Sequence, residues 1–215
     1  DKTLEILKKL QIKYRELVVE IMPIGNKGLA LKRAFEKARG TKLVTLDTDL
    51  WDEDFVEASI KNLQNYEIVI GSKVIKGSKD DRSFAPRFIN WGYNFVMRLF
   101  FDFQGTETHA KLSFLKDPIM PLVQKCKTSE LVFDTELILR AERAGLSILE
   151  IPTKVKEIRP RRFGGIDQMV KTIKNSFVLL FAIGPKINWA YVLVFGAILL
   201  GAFLRFYHYH SWFFF

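Results

Sequence analysis

The chain has one cysteine, Cys126. A single thiol excludes an intrachain disulfide framework, a cysteine-built zinc site and a Cys-x-x-Cys redox centre. Residues 1–20 are charged and helix-like and do not read as a secretory signal. Internal repeats, low-complexity segments and recognised nucleic-acid motifs are absent from the sequence. Acidic residues are the minority, 24 against 33 Lys and Arg, for a net charge of +9. That surplus suits an anionic partner: nucleic acid, phosphate groups or an anionic membrane face. The basic residues gather in loops beside an uncharged run, which disfavours nucleic acid. Apolar residues are plentiful, at 48% with 19 Phe, which allows a real core and excludes a disordered chain. A length of 215 residues fits one large domain, or one domain with an appendage.

Periodicity predicts a helix over 2–13, a strand over 17–22, a turn at 26–28 and a helix over 29–39 closed by Gly40. A buried strand over 43–46, a helix over 53–63 and a strand over 68–70 follow. This alternation implies parallel strands with crossover helices, which bind ligands at the carboxyl ends of their strands. A polar loop over 72–86 carries Lys73, Lys76, Lys79 and Arg82, with Arg87 at its far edge. Beyond it come a helix over 88–103 that is apolar almost all round and a short strand over 111–114. A helix over 133–144, a strand over 148–155, a basic turn over 160–165 and a helix over 166–183 complete the pattern.

The C-terminal part is different. Ile187 to Leu204 is 18 residues without a charge, long enough at 1.5 Å each to reach about 27 Å, and is expected to cross a membrane, the span running to 207. Aromatic residues bracket it, and eight Lys or Arg lie between Lys154 and Lys186 against Arg205 alone beyond it. The positive-inside tendency then leaves the preceding domain cytoplasmic. Residues 166–186 are expected to lie in the membrane interface. The absence of an initiator Met and the aromatic tail at 208–215 suggest a piece of a longer protein.

The clearest chemical signal is Leu43-Val44-Thr45-Leu46-Asp47-Thr48-Asp49. Carboxylates at i and i+2 of an extended chain point the same way. At the end of a buried strand they make an oxygen site for Mg²⁺ or Mn²⁺, able to bridge a diphosphate. The same residues also suit a solvated loop leading into a helix cap, since Asp52 and Glu53 follow. Asn26-Lys27-Gly28 opens a helix whose N-terminus, with its Lys, can contact phosphate or can simply be a turn. Arg159, Arg161 and Arg162 stand just before the apolar run, placed to bind lipid head groups or a substrate phosphate. In Thr106-Glu107-Thr108-His109 a carboxylate sits beside a His, a pairing that can be a base or merely structural.

The order of these signals resembles the family 2 glycosyltransferases of the GT-A fold, and most of all the dolichyl-phosphate and polyprenyl-phosphate mannose or glucose synthases. Asp1-Lys2-Thr3-Leu4 looks like the tail of that family's Asp-Asp-Gly-Ser…Asp-x-Thr segment. Asn26-Lys27-Gly28 with Ala30, Ala38 and Gly40 resembles its Asn-x-Gly…Ala…Ala-x-Gly stretch, and Asp47-Thr48-Asp49 its DxD. Gly71-Ser72-Lys73 resembles its Gly-Ser-Arg, with Lys73 in place of Arg. Arg82, Arg87 and Asn94 resemble its arginine loop. Glu107-Thr108-His109 and Phe133-Asp134-Thr135-Glu136-Leu137 are similar to its Asp-Thr-His and Phe-Asp-x-Glu-Leu segments. The resemblance covers about residues 1–165 and implies a Rossmann-like GT-A domain, mostly parallel, lacking its first strand.

The resemblance also implies a reaction: inverting transfer of a hexosyl group from a nucleotide sugar to a polyprenyl (dolichyl) phosphate at the cytoplasmic membrane face. Asp47 and Asp49 would hold Mg²⁺ or Mn²⁺, with Asn26, Lys27 and Gly28 completing the donor site. Lys73, Arg82, Arg87, Arg159, Arg161 and Arg162 would receive the acceptor phosphate, and Asp49, Arg87 and Glu107 would carry the catalysis. A phosphate monoester is already largely anionic at neutral pH, its second pKa being about 6. Little base is therefore required, and Glu107 would orient rather than deprotonate. The alternative is a membrane-tethered GT-A remnant that binds without catalysing.

Overall fold

The computed structural model describes residues 2–23, 25–47, 51–108, 111–128, 132–155 and 166–211, the side chains of 166–173 and 206–211 excepted. The elements run α1 (Thr3–Lys13), α2 (Lys27–Lys37), β1 (Lys42–Thr45), α3 (Glu53–Asn62), β2 (Ile68–Ser72), β3 (Lys79–Asp80) and α4 (Phe84–Phe101). Then come β4 (Lys111–Leu115), α5 (Lys116–Lys125), α6 (Val132–Arg143), β5 (Ile148–Pro152), β6 (Lys154–Val155), α7 (Ile166–Ile183) and α8 (Trp189–Ser211).

Four strands form the main sheet in the order β1-β4-β2-β5. β2 and β5 are parallel, but β4 is antiparallel to both β1 and β2. The sheet is thus mixed, which corrects the mostly parallel expectation. Three strands do share a direction, and β4 is inserted against them. A four-residue alternation carries no sign of direction, so the reversal was not legible locally. β3 and β6 make a small parallel pair beside the sheet, broken from β5 at Thr153.

Side-chain alternation sorts the two faces. Ile68, Ile70, Leu112 and Phe114 enter the main core with Phe35 of α2, Ile119 and Val123 of α5, and Phe133, Leu137 and Ile138 of α6. Ser113 faces the other way, where its Oγ meets Ser59 Oγ of α3 at 2.7 Å. Gly71 is required on that side, because a Cβ there would stand 2.9 Å from the Phe55 ring. α5 forms despite Pro121 in its interior. Nothing in residues 17–22 became a strand: the segment has no pairing partner among the described residues, and Val18 and Ile21 stay exposed.

The C-terminal helices are tied to the domain by side chains. Arg140 donates to Ala182 O at 3.0 Å, and Arg143 to Ile183 O at 2.7 Å and Gly184 O at 2.8 Å. Two arginines thereby satisfy the orphan carbonyls at the end of α7. One face of α7 reaches the core through Leu179, while Phe177 and Phe181 point outward. Asp102, in a left-handed conformation, holds Lys186 at 2.9 Å and Asn188 at 2.7 Å, which seats α8 beside α4. Among the described residues no helix is long and apolar enough to cross a membrane. The crossing expected over 187–207 therefore has no support in the structure.

Candidate active site

Because β4 opposes its neighbours, its N-terminal end lies along the same edge as the C-terminal ends of β1, β2 and β5. That edge collects Asp47 after β1, Lys73 after β2, Glu107 before β4 and Thr153 after β5.

The first cluster is built on α2. Asn26 caps it, accepting from Leu29 N at 2.9 Å, and Gly28 is buried in the first turn. Lys27 Nζ lies 3.3 Å from Asp47 Oδ1 and 3.0 Å from Asp134 Oδ2. Asp47 is half exposed and Asp134 is buried in α6. Burial alone lowers the Lys27 pKa, but Asp134 and Asp47 outweigh it and hold the ammonium above its usual value. Burial raises the Asp134 carboxyl, against the pull of Lys27. The oxygens of Asp47 suit a hard cation such as Mg²⁺ or Mn²⁺. Among the described residues no three His, Cys, Asp or Glu gather to enclose one. A cation here would draw most of its shell from elsewhere, as Mg²⁺ does on substrate phosphates. Asp49 lies outside the described residues, as do Arg159, Arg161 and Arg162.

The second cluster surrounds Glu107, whose side chain is fully buried. Its Oε2 accepts Asn90 Nδ2 of α4 at 3.0 Å and sits 3.5 Å from Lys73 Nζ. Burial lowers the Lys73 pKa, with Glu107 opposing and Arg82 reinforcing the shift. The loop that carries Glu107 is fixed from several sides. Glu150 of β5 accepts Thr106 N at 2.6 Å and Thr106 Oγ1 at 2.5 Å, and Ser72 Oγ meets the same hydroxyl at 2.7 Å. Arg98 donates to Gly105 O at 3.0 Å, and Asn94 Oδ1 accepts Thr108 N at 3.1 Å. Only glycine fits at 105, since a Cβ would come within 2.5 Å of the Phe103 ring.

Arg82, expected in the acceptor site, has its fork on Asp80: Nε to Oδ1 at 2.8 Å and Nη2 to Oδ2 at 2.6 Å. A phosphate would have to compete with that bidentate pair. Arg87 is different. It is exposed in the first turn of α4 and makes no ion pair among the described residues.

In a third group, sequence reasoning read Asp52 as a helix cap, which it is, and missed the partners gathered on it. Asp52 caps α3 and accepts Lys111 Nζ at 2.8 Å, Thr153 Oγ1 at 2.8 Å and Lys154 N at 2.9 Å. Burial works against the Asp52 charge, but these donors hold its pKa down at about 2. Asp134, Glu150 and Asn90 were also unassigned. For Asp134 the signal was the Phe133-Asp134-Thr135-Glu136-Leu137 segment; Glu150 and Asn90 carried none.

Residues 1–119 match the family described as Glycosyl transferase family 2. The chain is 32% identical over 132 residues to "Glycosyltransferase AglD" of Haloferax volcanii, covering 59% of this chain and 21% of that protein. It is 26% identical over 168 residues to "Dolichyl-phosphate beta-glucosyltransferase ALG5A" of Trichomonas vaginalis, covering 74% of this chain and 51% of that one. The chain thus spans about a fifth and a half of these two curated relatives. Among solved structures, glucosyl-3-phosphoglycerate synthase from Mycobacterium tuberculosis with uridine diphosphate matches at TM-score 0.60 and 17% identity, over 87% of this chain and 67% of that one. The same enzyme with Mn²⁺, uridine diphosphate and glucosyl-3-phosphoglycerate matches at TM-score 0.56 and 16% identity, with the same coverage. At that identity the likeness is one of fold, an α/β GT-A arrangement around a mixed sheet. With residues 1–119, over half of its length, matched to that family, the chain belongs to glycosyltransferase family 2.

Proposed function

We propose that the chain transfers a hexosyl group from a nucleotide sugar to a polyprenyl phosphate at a membrane surface, with inversion. The observation that supports this reading is the sheet edge where β1 ends at Asp47, 3.3 Å from Lys27, and β2 ends at Lys73, with Arg82 and Arg87 following in the chain. One side offers oxygens and an ammonium to a nucleoside diphosphate, and the other offers cations to an acceptor phosphate. The relative named for dolichyl phosphate and the fold neighbour holding Mn²⁺ with uridine diphosphate support the same pairing.

Asp47, with Asp49 two residues on, would hold Mg²⁺ or Mn²⁺. A cation held there would supply charge neutralisation for the departing diphosphate. The N-terminus of α2 and Lys27 face the same phosphates. Arg87 is free to fork onto the acceptor phosphate, and Lys73 supplies a point charge. Glu107 is locked between Asn90 and Lys73, so it fixes the floor of the site and orients the loop lysine. Since the acceptor oxygen is already anionic, positioning and electrostatics supply the rate.

Lipid contact is supported by two apolar surfaces. On α4, Phe84, Phe88, Trp91 and Phe95 stack at centroid spacings of 5.9 Å, and the first three are exposed. Phe95 continues the row onto Tyr191 and Phe195 of α8. From Trp189 to Leu204 α8 carries no charge and its side chains are almost wholly exposed, a composition water does not favour. With α7 presenting Phe177 and Phe181, these helices would seat the domain on the cytoplasmic face of a membrane, where the basic residues before α8 meet anionic head groups. The test is turnover of nucleotide sugar with a polyprenyl phosphate in vesicles. Asp47→Ala or Asp49→Ala should lower it on the order of 10²-fold, the scale of a main electrostatic stabiliser. Full activity in EDTA, or in either variant, overturns the assignment. Binding of donor with no transfer would favour the remnant reading.

A further inference from the structure

Lys27 occupies an electrostatically awkward position. It is the first residue of α2, where the helix presents its positive end and a cation is disfavoured. Two carboxylates compensate, and they are not equivalent. Asp134 is nearer, at 3.0 Å, with a side chain only 6% exposed; Asp47 is farther, at 3.3 Å, and 51% exposed. Lys27 is the only cation paired with Asp134 among the described residues. Separating that pair would strand a buried charge, a costly change, whereas water and ions reach Asp47 directly.

We infer that Lys27 is an internal counter-ion of the donor site: anchored by Asp134, it covers Asp47 while the site is empty, and releases it to a divalent cation that arrives with the donor diphosphate. Its ammonium, still on Asp134, then has N–H groups to turn toward that diphosphate at the N-terminus of α2. Asp134 acts through Lys27 and is a positioning residue. The inference rests on the donor-site reading above and adds the order of events: the cation alone is resisted, and cation and nucleotide together are accepted. No bond forms or breaks; the exchange is one ion pair for another.

Calorimetric titration of the full chain with Mn²⁺ alone, and with uridine diphosphate in the presence of Mn²⁺, separates the possibilities. Lys27→Met should bind Mn²⁺ alone about two- to five-fold more tightly, because a competing ion pair is gone. It should bind uridine diphosphate about ten-fold or more weakly, because a charge-assisted hydrogen bond is lost. Asp134→Asn leaves Lys27 with Asp47 alone, so its affinity for Mn²⁺ alone should fall below that of the unaltered chain. In the double variant the Asp134 effect should vanish and affinity for Mn²⁺ return to that of Lys27→Met, an outcome that a merely structural Asp134 would not give. Changes of the same sign for Mn²⁺ and nucleotide in Lys27→Met, or additive effects in the double variant, overturn the counter-ion role while leaving the donor site standing. An unaltered chain that binds neither probe removes the donor-site reading and the inference with it. Thermal melting of each variant guards against loss of fold: Lys27→Met, with Asp134 stranded, should melt lowest, and the double variant should recover.

Discussion

Lys111→Met tests the knot that holds the site edge together. Lys111 and Asp52 are both almost wholly buried, and their 2.8 Å contact joins the start of β4 to the cap of α3. Met keeps most of the stem and removes the charge. Asp52 would retain Phe55 N, Thr153 Oγ1 and Lys154 N but lose its cation. Breaking one partner of a buried pair costs about 3 kcal/mol at neutral pH. The acid limb gives a related figure, shared among Lys111, Lys154 N, Thr153 Oγ1 and Phe55 N. Asp52 falls from 3.8 to about 2 on folding, which corresponds to about 2 kcal/mol. The folded pKa is depressed, so this stability is present above pH 3.8 and is lost as pH falls toward 2. The gap between the unaltered chain and the variant should therefore be widest near neutrality and shrink progressively below about pH 4. Urea unfolding in detergent, followed by tryptophan fluorescence between pH 7 and pH 2.5, measures it. A gap of the same size at both ends of that range, or one under about 1 kcal/mol at pH 7, refutes the reasoning.

Arg87→Lys keeps the charge but loses the fork, so acceptor KM should rise several-fold with donor affinity unchanged; equal losses in both would remove Arg87 from the acceptor site. Glu136→Gln strips the charge that gathers Lys127 N, Thr128 N and Arg140 Nε, and thermal melting should show a loss of about 2 kcal/mol. Trp91→Glu places a charge in the exposed aromatic row of α4, and flotation with anionic vesicles should fall while thermal stability holds.

The parts of the fold that were legible in sequence are those governed by local pattern. The apolar run ending at Asp47 announced β1, and Asn26 announced the cap of α2 within a residue or two. What stayed hidden depends on partners. Residues 17–22 have strand composition, yet a strand needs a neighbour, and none is described beside them. α5 was unassigned; it forms with Pro118 in its opening turn, where a missing N–H costs nothing, and with Pro121 inside. Arg82 was read as a free phosphate ligand, because sequence gives no sign that Asp80 turns back onto it. Asp52 looked like an ordinary cap, and its lysine lies 59 residues away.

The antiparallel β4 explains both the miss and the site. Had β4 run with its neighbours, Glu107 and Lys111 would sit at the far end of the sheet from Asp47. Reversed, β4 brings its leading loop to the edge where β1 and β2 deliver Asp47 and Lys73. The loop then meets Glu150, which arrives on β5 from 43 residues later and accepts both Thr106 N and Glu107 N. A buried carboxylate that organises backbone amides leaves no local mark, because its partners are peptide groups that any sequence supplies. Glu107 can stand fully buried beside Lys73 because its loop is already anchored by Glu150, Arg98 and Asn94. The polar network is therefore arranged in order: Glu150 holds the backbone of the loop, and the loop holds Glu107 beside Lys73 at the sheet edge.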